Sequence, residues 1–486
     1  MFNNREVVDY FYRLFHPKTI AVVGASNDPV RGGSIFLHAL KENGFPELYP
    51  VNPYFKEAMG FKCYPRVQDI PEEVDLAIIG IPRGLVLKTL EDCIEKGVKF
   101  AHIFTAGFSE TGRHEGIDLE NRIVSIARGK LRLIGPNCMG VHCPGSGISW
   151  SKNHKTTPGH VSMISQSGGH TSHFIELAVE KTLGISKIIS VGNSSDMGVS
   201  DLLEYFLADP ETDIIGLYIE GFAKDEGRDF FNIIKGGNSR KPIVVWKAGK
   251  TPYGARAAGS HTASMAGSYD TFQSVARQLG LILVSSIEEM VELIQALQTV
   301  PLPVGPRVGI LGQGGGQSVA IADSLALLGL KVPALEEETQ KRIMEIATES
   351  GTMVKNPVDP NIACVDPQNI KAMLMIMAED KNIDAILFHQ YVDFLLTWKE
   401  RGGGIDLEGI KEDLGDAIID VKRNTDKPIL CAFSSRSGEI EVYEEWLSIR
   451  DTFQEKGVRI YPSIDKTGRI LSLLHSYSRS LNKLDF

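Results

Sequence analysis

His261 is the residue of this sequence best suited to nucleophilic chemistry. It lies in the segment 254–267, in which eight of fourteen residues are Gly or Ala. So few anchoring side chains predict a mobile loop that carries one reactive group, and a neutral imidazole nitrogen is a nucleophile. A lone histidine is more often structural, and this chain has twelve. His261 differs because its neighbours are too small and too polar to bury it.

Glu220 is the acid that would assist such a histidine. It closes the apolar segment DIIGLYIE at residues 213–220. A carboxylate that accepts a hydrogen bond from one ring nitrogen selects the imidazole tautomer. It also stabilises the imidazolium that forms when the other nitrogen reacts. We therefore interpret His261 and Glu220 as a nucleophile and its supporting acid.

Two glycine clusters follow apolar strands and begin helices, SQSGG at 165–169 and GQGGG at 312–316. Clustered backbone N–H groups and the positive end of the helix dipole make each of them a potential anion site. Two helix starts that face one point would suit a phosphoryl group. Either cluster alone could be a packing turn, but the repetition favours function. The candidate phosphate-binding residues are Ser165, Gln166, Ser167, Gly168, Gly169, Gln313, Gly314, Gly315 and Gly316.

A third turn of small residues, VGASNDPVRGG at 23–33, follows the first predicted strand. Such a strand-to-helix turn lets the backbone approach a phosphate. The position two after Gly24 is Ser26 rather than Gly, and the second strand ends in VNP without an acid for a ribose hydroxyl. Both features disfavour a nicotinamide dinucleotide. On this motif alone, a tight turn without any ligand is an equal alternative.

Short apolar segments alternate with amphipathic ones along the whole chain. Within residues 1–145, strands are predicted in the segments 19–27, 48–53, 74–82, 98–108 and 131–137, with helices between them. Val- and Ile-rich strands that alternate with helices are typical of a parallel sheet covered on both faces. These residues are therefore predicted to form one doubly wound α/β domain.

The remainder of the chain looks like a duplication. The two glycine clusters are followed by three further echoes in the same order: GNSSD and KNPVD, DIIGLYIE and DAILFHQY, KPIVVWKAG and KPILCAFSS. These echoes predict two similar α/β domains, 146–298 and 305–486, joined by the Pro-rich linker 299–307. The histidine segment occurs only in the first copy, where Glu220 aligns with Tyr391 of the second.

Composition sets the broad class of protein. The chain has 486 residues, of which 43% are hydrophobic and 23% charged, with a formal net charge of -10. These values exclude a disordered or fibrous protein, and an acidic chain without a basic run is not expected to bind nucleic acid or a membrane surface. Six scattered cysteines predict reduced thiols and no metal site. Without an apolar signal segment or membrane span, a cytoplasmic protein is expected.

Several stretches together resemble the alpha subunits of the ADP-forming acetyl-CoA synthetases, members of the nucleoside-diphosphate-forming acyl-CoA synthetase superfamily that includes succinyl-CoA synthetase. The resemblance covers about residues 15–300 and is looser over 305–486. It implies a Rossmann-like CoA-binding domain followed by two flavodoxin-like domains of the succinyl-CoA synthetase type. The matching stretches are VVGASNDP, YPVNP, AGFSETG, IGPNCMGV, SQSGG, GNSSD, LYIEGF and ARAAGSHTASMAG.

The resemblance also implies a reaction. Acyl-CoA, phosphate and ADP are interconverted with a carboxylic acid, CoA and ATP through an acyl phosphate and a phosphohistidine. In this reading His261 is the phosphorylated histidine, Glu220 supports it, and the two glycine clusters bind phosphate. The residues that match the turns holding CoA are Gly24, Ser26, Asn52, Pro53, Pro82 and Asn137.

The resemblance also implies a partner, because the chain has no room for an ATP-grasp domain. Three α/β domains use up its length, so Mg-ADP or Mg-ATP is expected to bind mainly to a separate ATP-grasp beta subunit, in an α2β2 enzyme. CoA is then a substrate, and no tightly bound organic cofactor is expected. Two alternatives stay open: a CoA-binding regulatory or scaffolding homologue without turnover, and a nicotinamide-dependent dehydrogenase.

Overall fold

The computed structural model describes residues 4–237, 241–261, 268–400 and 406–484. The chain divides into two compact units, Met1–Val291 and Glu292–Phe486. Within the described ranges, no group of three or more His, Cys, Asp or Glu side chains is arranged to hold a metal ion. Over the same residues, no helix combines the length and apolarity needed to cross a bilayer.

The first sheet of unit 1 has five parallel strands in the order β2-β1-β5-β6-β7. Its central strands are buried at every position, because helices cover both faces. All five strands lie within the segments predicted from the sequence. A short antiparallel hairpin, β3 and β4, follows β2. The elements are α1 (Asn4–Phe15), β1 (Ile20–Val23), α2 (Ser34–Glu42), β2 (Leu48–Val51), β3 (Glu57–Ala58), β4 (Phe61–Lys62), β5 (Leu76–Ile79), α3 (Arg83–Lys96), β6 (Phe100–Ile103), α4 (His114–Ala127) and β7 (Arg132–Ile134).

The second sheet of unit 1 has six strands in the order β13-β12-β11-β9-β10-β8. Five are parallel in the flavodoxin-like arrangement, and β8 pairs antiparallel with β10 at the edge. The division between the two units falls within α10. The elements are β8 (Gly140–His142), β9 (Pro158–Ser165), α5 (Gly168–Glu180), β10 (Ile185–Ser190), α6 (Val199–Ala208), β11 (Ile214–Ile219), α7 (Glu226–Gly236), β12 (Ile243–Lys247), α8 (Pro252–His261), α9 (Tyr269–Gln278), β13 (Ile282–Leu283) and α10 (Ile287–Thr299).

Strand pairing and side-chain contacts, as well as the continuous chain, connect the two domains of unit 1. Strand β8 precedes residue 145, yet it forms the edge of the second sheet. Helix α1 packs against α6, where Phe15 stacks on Tyr205 at 5.4 Å between ring centroids. Arg132 on β7 reaches Asp196 at 3.0 Å, in the turn after β10. The first two domains therefore share an interface that fixes the carboxyl ends of their strands relative to each other.

Unit 2 contains a four-stranded parallel sheet in the order β14-β15-β16-β17. Helices α13, α15 and α16 contribute to a large apolar core on one face of it, in which Phe388 and Phe433 are fully buried. The elements are β14 (Val308–Gly312), α11 (Gly315–Leu327), α12 (Glu337–Ile346), α13 (Pro367–Glu379), β15 (Ala385–Tyr391), α14 (Val392–Glu400), α15 (Leu407–Arg423), β16 (Ile429–Ser434), α16 (Ile440–Glu455), β17 (Ile460–Tyr461) and α17 (Ile464–Leu484).

Strand order agrees with the predicted duplication. The series β9-β11-β12-β13 of unit 1 corresponds to β14-β15-β16-β17 of unit 2. In unit 1, β10 pairs with the outer side of β9. At the equivalent position of unit 2, one parallel bridge joins Leu311 on β14 to Val358, which lies within KNPVD. Tyr218 pairs with Ser165 as His389 pairs with Gly312. This shared register keeps Glu220 and Tyr391 at equivalent positions, as the sequence alignment predicts.

The histidine segment differs from its prediction. A loop was expected over residues 254–267, but the chain is helical up to His261. Pro at the first helical position is preorganised for a helix, and alanine is the strongest helix former. The Thr251 side chain accepts a hydrogen bond from the Gly254 N–H at 3.1 Å and supports this start. The loop prediction is therefore wrong for residues 254–261, while residues 262–267 lie outside the described ranges.

Candidate functional site

The predicted CoA-binding residues meet at one edge of the first sheet. Because parallel strands all end at the same edge, the turns after β1, β2, β5 and β7 come together there. The Asn52 side chain joins two of these turns by donating to the Ala25 carbonyl at 2.8 Å. In the turn after β1, the Ser26 hydroxyl contacts that of Ser34 at the start of α2, at 2.9 Å. The other members of the set at this edge are Gly24, Pro53, Pro82 and Asn137.

Gly24 shows why this edge needs small residues. Its φ is +86°, and a Cβ there would lie 2.4 Å from the Gly80 carbonyl oxygen on the neighbouring strand end. Only glycine permits both this left-handed conformation and this approach. The turn after β1 therefore stays close to the sheet.

The SQSGG turn forms the start of α5. The Ser167 side chain caps the helix by accepting from the His170 N–H at 3.3 Å. The Ser165 hydroxyl is buried and donates to the Ser167 carbonyl at 2.9 Å, so it holds the turn from inside. Gly168 and Gly169 open the helix, where backbone N–H groups and the helix dipole favour an anion.

A pocket of about 250 Å³ lies between this turn and the edge of the first sheet. Phe104 and Met139 give it an apolar wall, whereas its polar wall includes the side chains of Asn137 and Asn193. The structure thus brings Asn137, from the predicted CoA set, together with most of the predicted phosphate turn. The members of that turn at the pocket are Gln166, Ser167, Gly168 and Gly169.

Gln166 has a role that its residue type did not reveal. Its side chain is buried, and its Oε1 accepts from the N–H groups of Glu220 at 2.6 Å and Gly221 at 3.1 Å. Its Nε2 donates to the Gly221 carbonyl at 2.9 Å. The side-chain amide thereby pairs like a peptide group with the chain after β11. It connects the phosphate turn to the acid.

Glu220 is 6% exposed and is held at the carboxyl end of β11. Its carboxylate accepts from the Tyr218 hydroxyl at 3.2 Å, and its carbonyl accepts from the Lys247 ammonium at 2.8 Å. Burial lowers the pKa of Lys247, although the charge of Glu220 opposes that shift. The acid is thus fixed both through its backbone and through its side chain.

Two further rings pack against the ring of Tyr218, whose hydroxyl contacts Glu220. The ring of Tyr218 lies 4.5 Å from that of His170 and 4.9 Å from that of Trp246, and His170 lies 4.7 Å from Trp246. Burial lowers the pKa of His170, and the nearby His173 adds to the shift, which favours the neutral imidazole. Burial and the neighbouring Glu220 raise the pKa of Tyr218, which therefore remains a hydrogen-bond donor.

Asn193 is a site residue that our sequence reasoning missed. Its side-chain amide donates to Glu110 at 2.7 Å and to Glu120 at 2.9 Å. The neighbouring Gly192 has a φ of +52°, and a Cβ there would lie 2.4 Å from the Asn137 carbonyl oxygen. The sequence singles out GNSSD as one member of an echoed pair, although an Asn beside a Gly after a strand also indicates a turn at a strand end.

His261 is the last residue of α8, and its side chain lies outside the described part of the structure. Helix α8 packs against the short 3₁₀ helix Ser109–Thr111, which contains Glu110. Glu110 in turn accepts from the pocket residue Asn193. The helix that carries His261 therefore contacts the element next to the pocket.

The GQGGG cluster lies in unit 2, at the start of α11. Gln313 is buried and donates to the Cys364 thiol at 2.8 Å, and the Gly314 N–H donates to Asp359 at 3.0 Å. Asp359 ends the KNPVD echo, so this carboxylate lies directly at the turn. Gly315 and Gly316 begin the helix, as the sequence predicts.

Family models match two parts of the chain. Residues 18–144 match a CoA binding domain, and residues 158–297 match a succinyl-CoA ligase like flavodoxin domain. These ranges contain the two sheets of unit 1 almost completely. They also contain the pocket, Glu220 and His261.

Named relatives and a solved structure resemble the chain over greater lengths. The acetate–CoA ligase [ADP-forming] II subunit alpha of Pyrococcus furiosus is 38% identical over 430 residues, which are 88% of this chain and 90% of that one. The acetate–CoA ligase [ADP-forming] I of Archaeoglobus fulgidus is 38% identical over a match that covers 77% of this chain and 54% of that relative. The dinucleotide forming acetyl-coenzyme A synthetase 1 of Ca. Korarchaeum cryptofilum, solved with phosphate and ADP, matches with a TM-score of 0.83, 32% identity and 98% coverage of both chains.

Proposed function

Since the chain belongs to the family of the ADP-forming acetate–CoA ligase alpha subunits, we propose that it interconverts acyl-CoA, phosphate and ADP with a carboxylic acid, CoA and ATP. The observation that carries this proposal is the pocket, because it is lined both by Asn137, which belongs to the predicted CoA-binding set, and by the glycine turn of α5. CoA and phosphate would meet there. Glu220 is joined to the same turn through Gln166.

The first step forms an acyl phosphate. A phosphate oxygen bonds to the thioester carbonyl carbon, the carbon–sulfur bond breaks, and CoA leaves as a thiolate that takes up a proton. The N–H groups at the start of α5 are fixed donors, so they stabilise the phosphoryl charge without reorganisation. Phe104 and Met139 offer an apolar surface to the acyl group.

The second step moves the phosphoryl group to His261. A ring nitrogen bonds to phosphorus, the bond between phosphorus and the acyl oxygen breaks, and the carboxylate leaves. Glu220 pairs with the opposite ring nitrogen and stabilises the positive charge of the imidazole. Positioning and charge stabilisation, the main requirements of phosphoryl transfer, are what these residues supply.

The last step transfers the phosphoryl group from His261 to ADP. We assign Mg-ADP binding to a partner beta subunit with an ATP-grasp fold, in an α2β2 assembly. The Pyrococcus relative is named as a subunit, and the Archaeoglobus relative is about twice as long as the part that matches this chain. The six buried, unpaired cysteines suit the reducing cytoplasm in which such an enzyme would act.

Release of the CoA thiol tests the first step. The purified chain is incubated with acetyl-CoA and other acyl-CoAs, with and without phosphate, and free thiol is measured. We expect thiol release that requires phosphate and one class of acyl-CoA. Release that is equal with and without phosphate for every acyl-CoA would reject acyl phosphate formation.

A further inference from the structure

We propose that Tyr218 is a positioning residue for the phosphohistidine reaction, because it holds the carboxylate of Glu220 in the orientation that supports His261. This inference rests on the proposed function. The contact is the hydrogen bond from the Tyr218 hydroxyl to Glu220 Oε1, at 3.2 Å. In this role Tyr218 acts through the acid rather than on the substrate.

The backbone of Glu220 is already fixed by other groups. Gln166 accepts from its N–H at 2.6 Å, and Lys247 donates to its carbonyl at 2.8 Å. These contacts act on the backbone and determine where the side chain begins. The bond from Tyr218 acts on the carboxylate itself and therefore restrains its orientation.

The surroundings of Tyr218 make it a rigid donor. It is 5% exposed, and its ring lies against His170 and Trp246, with centroids 4.5 and 4.9 Å away. A packed ring has little rotamer freedom, so its hydroxyl has a defined position. The hydroxyl also stays protonated, because burial and the charge of Glu220 both disfavour its ionised form.

A preorganised carboxylate aids the reaction. A flexible Glu would lose rotamer entropy when it pairs with the imidazole, whereas a Glu already held in one rotamer does not. Loss of the tyrosine hydroxyl should therefore slow phosphoryl transfer without weakening substrate binding. The described part of unit 2 does not repeat this pair, since the residue equivalent to Tyr218 is His389 and that equivalent to Glu220 is Tyr391.

Tyr218→Phe tests this role because it keeps the ring and its packing but removes the hydroxyl. We expect phosphohistidine formation from acyl-CoA and labelled phosphate to slow by about tenfold to a hundredfold, the range for a hydrogen bond to a charged group. The KM for acyl-CoA and for phosphate should stay within about twofold. Tyr49→Phe is the matched control: Tyr49 on β2 donates to Glu47, two residues earlier and just before the strand, at 3.2 Å, and both residues lie outside the pocket.

A double-mutant cycle with Glu220→Gln separates positioning from a general structural effect. If Tyr218 acts through Glu220, the double variant should be no slower than Glu220→Gln alone. The inference is overturned if the rate losses of the two single variants multiply in the double variant, or if Tyr218→Phe reacts at the wild-type rate. Either result would leave the proposed function intact. A wild-type chain that forms no phosphohistidine would overturn both.

Discussion

Gln166 and Gly221 exchange two hydrogen bonds: the Gly221 N–H donates to Gln166 Oε1 at 3.1 Å, and Gln166 Nε2 donates to the Gly221 carbonyl at 2.9 Å. Pairs of this kind normally join two backbone segments. Here one partner is a side chain, so a single residue of the phosphate turn fixes the chain that follows β11. The position of the glycine turn at α5 and the position of Glu220 are therefore coupled.

Replacement of Gln166 by Met should reveal this coupling. Met has a similar length but would leave the N–H groups of Glu220 and Gly221 buried without that acceptor. We expect the free energy of unfolding to fall by about 1 to 3 kcal/mol and phosphohistidine formation to slow about tenfold or more. Chemical denaturation and rapid-quench labelling measure the two effects. Gln278→Met, at the exposed end of α9, is the control and should change neither.

Replacement of Glu220 by Gln should impair transfer to His261 while the fold persists. The amide keeps the shape of the side chain but cannot stabilise an imidazolium by charge. We expect phosphohistidine formation to slow by about tenfold to a hundredfold, with thiol release from acyl-CoA retained. Labelling kinetics at the wild-type rate would remove Glu220 from the mechanism.

Gly192 should tolerate no side chain. An alanine Cβ would lie 2.4 Å from the carbonyl oxygens of both Pro136 and Asn137, in a turn whose φ is +52°. Gly192→Ala should therefore destabilise the protein by about 1 to 3 kcal/mol or more and abolish thiol release by displacing the pocket wall.

Gly97→Ala is the control for Gly192→Ala. Gly97 also has a positive φ, of +81°, but no atom of the described structure lies within 4 Å of an added Cβ. It should show only the cost of backbone strain, about 1 kcal/mol, with unchanged thiol release. Equal loss of activity in both variants would mean that strain, rather than the pocket, causes it.

The ion pair between Arg307 and Asp384 makes the stability of unit 2 depend on pH. Two guanidinium nitrogens contact the carboxylate, at 2.6 and 2.9 Å. Burial disfavours the charged carboxylate, but the hydrogen bonds and charge of Arg307 outweigh burial and lower the pKa of Asp384. A lowered carboxyl pKa contributes stability above the ordinary value of about 3.9, and that stability is lost as the pH falls through the folded-state pKa.

Asp384→Asn should therefore lower the free energy of unfolding at pH 7 by about 1 to 3 kcal/mol. The difference from wild type should shrink below about pH 4, where the wild-type carboxylate also loses its charge. Denaturation curves at several pH values measure this trend. Asp420→Asn removes the more exposed pair with Lys371 and should have little effect. A gap between Asp384→Asn and wild type that is constant with pH would contradict the assignment.

Strand positions were predictable from the sequence because most of these strands are buried on both faces. Ile20–Val23 and Leu76–Ile79 contain only apolar residues, and such short apolar runs between turns are typical of parallel strands. The edge strand Gly140–His142 was not predicted, because three residues that pair on one side carry no such pattern. Helix α8 was missed because Gly and Ala together suggested a loop, whereas alanine and the initial proline favoured a helix.

Individual site residues were predictable where their chemistry is local. The positions of the glycine turn at α5 and of the acid after β11 could be predicted because each lies at a strand end, where parallel sheets assemble their sites. The roles of Gln166 and Asn193 could not, because their partners lie 55 and 83 residues away in sequence. Tyr218 likewise belongs to the stretch LYIEGF, but only the packed structure relates its hydroxyl to Glu220.

Phosphorylation of His261 can be measured directly. The purified chain is incubated with radiolabelled phosphate and a panel of acyl-CoAs, quenched at alkaline pH, and separated from small molecules, with His114→Ala as the control for loss of an exposed histidine. We expect a protein-bound, acid-labile label that requires one class of acyl-CoA, persists in His114→Ala and is absent from His261→Ala. Label that persists in His261→Ala would contradict the mechanism, as would no wild-type label with any acyl-CoA or with the partner subunit and Mg-ATP.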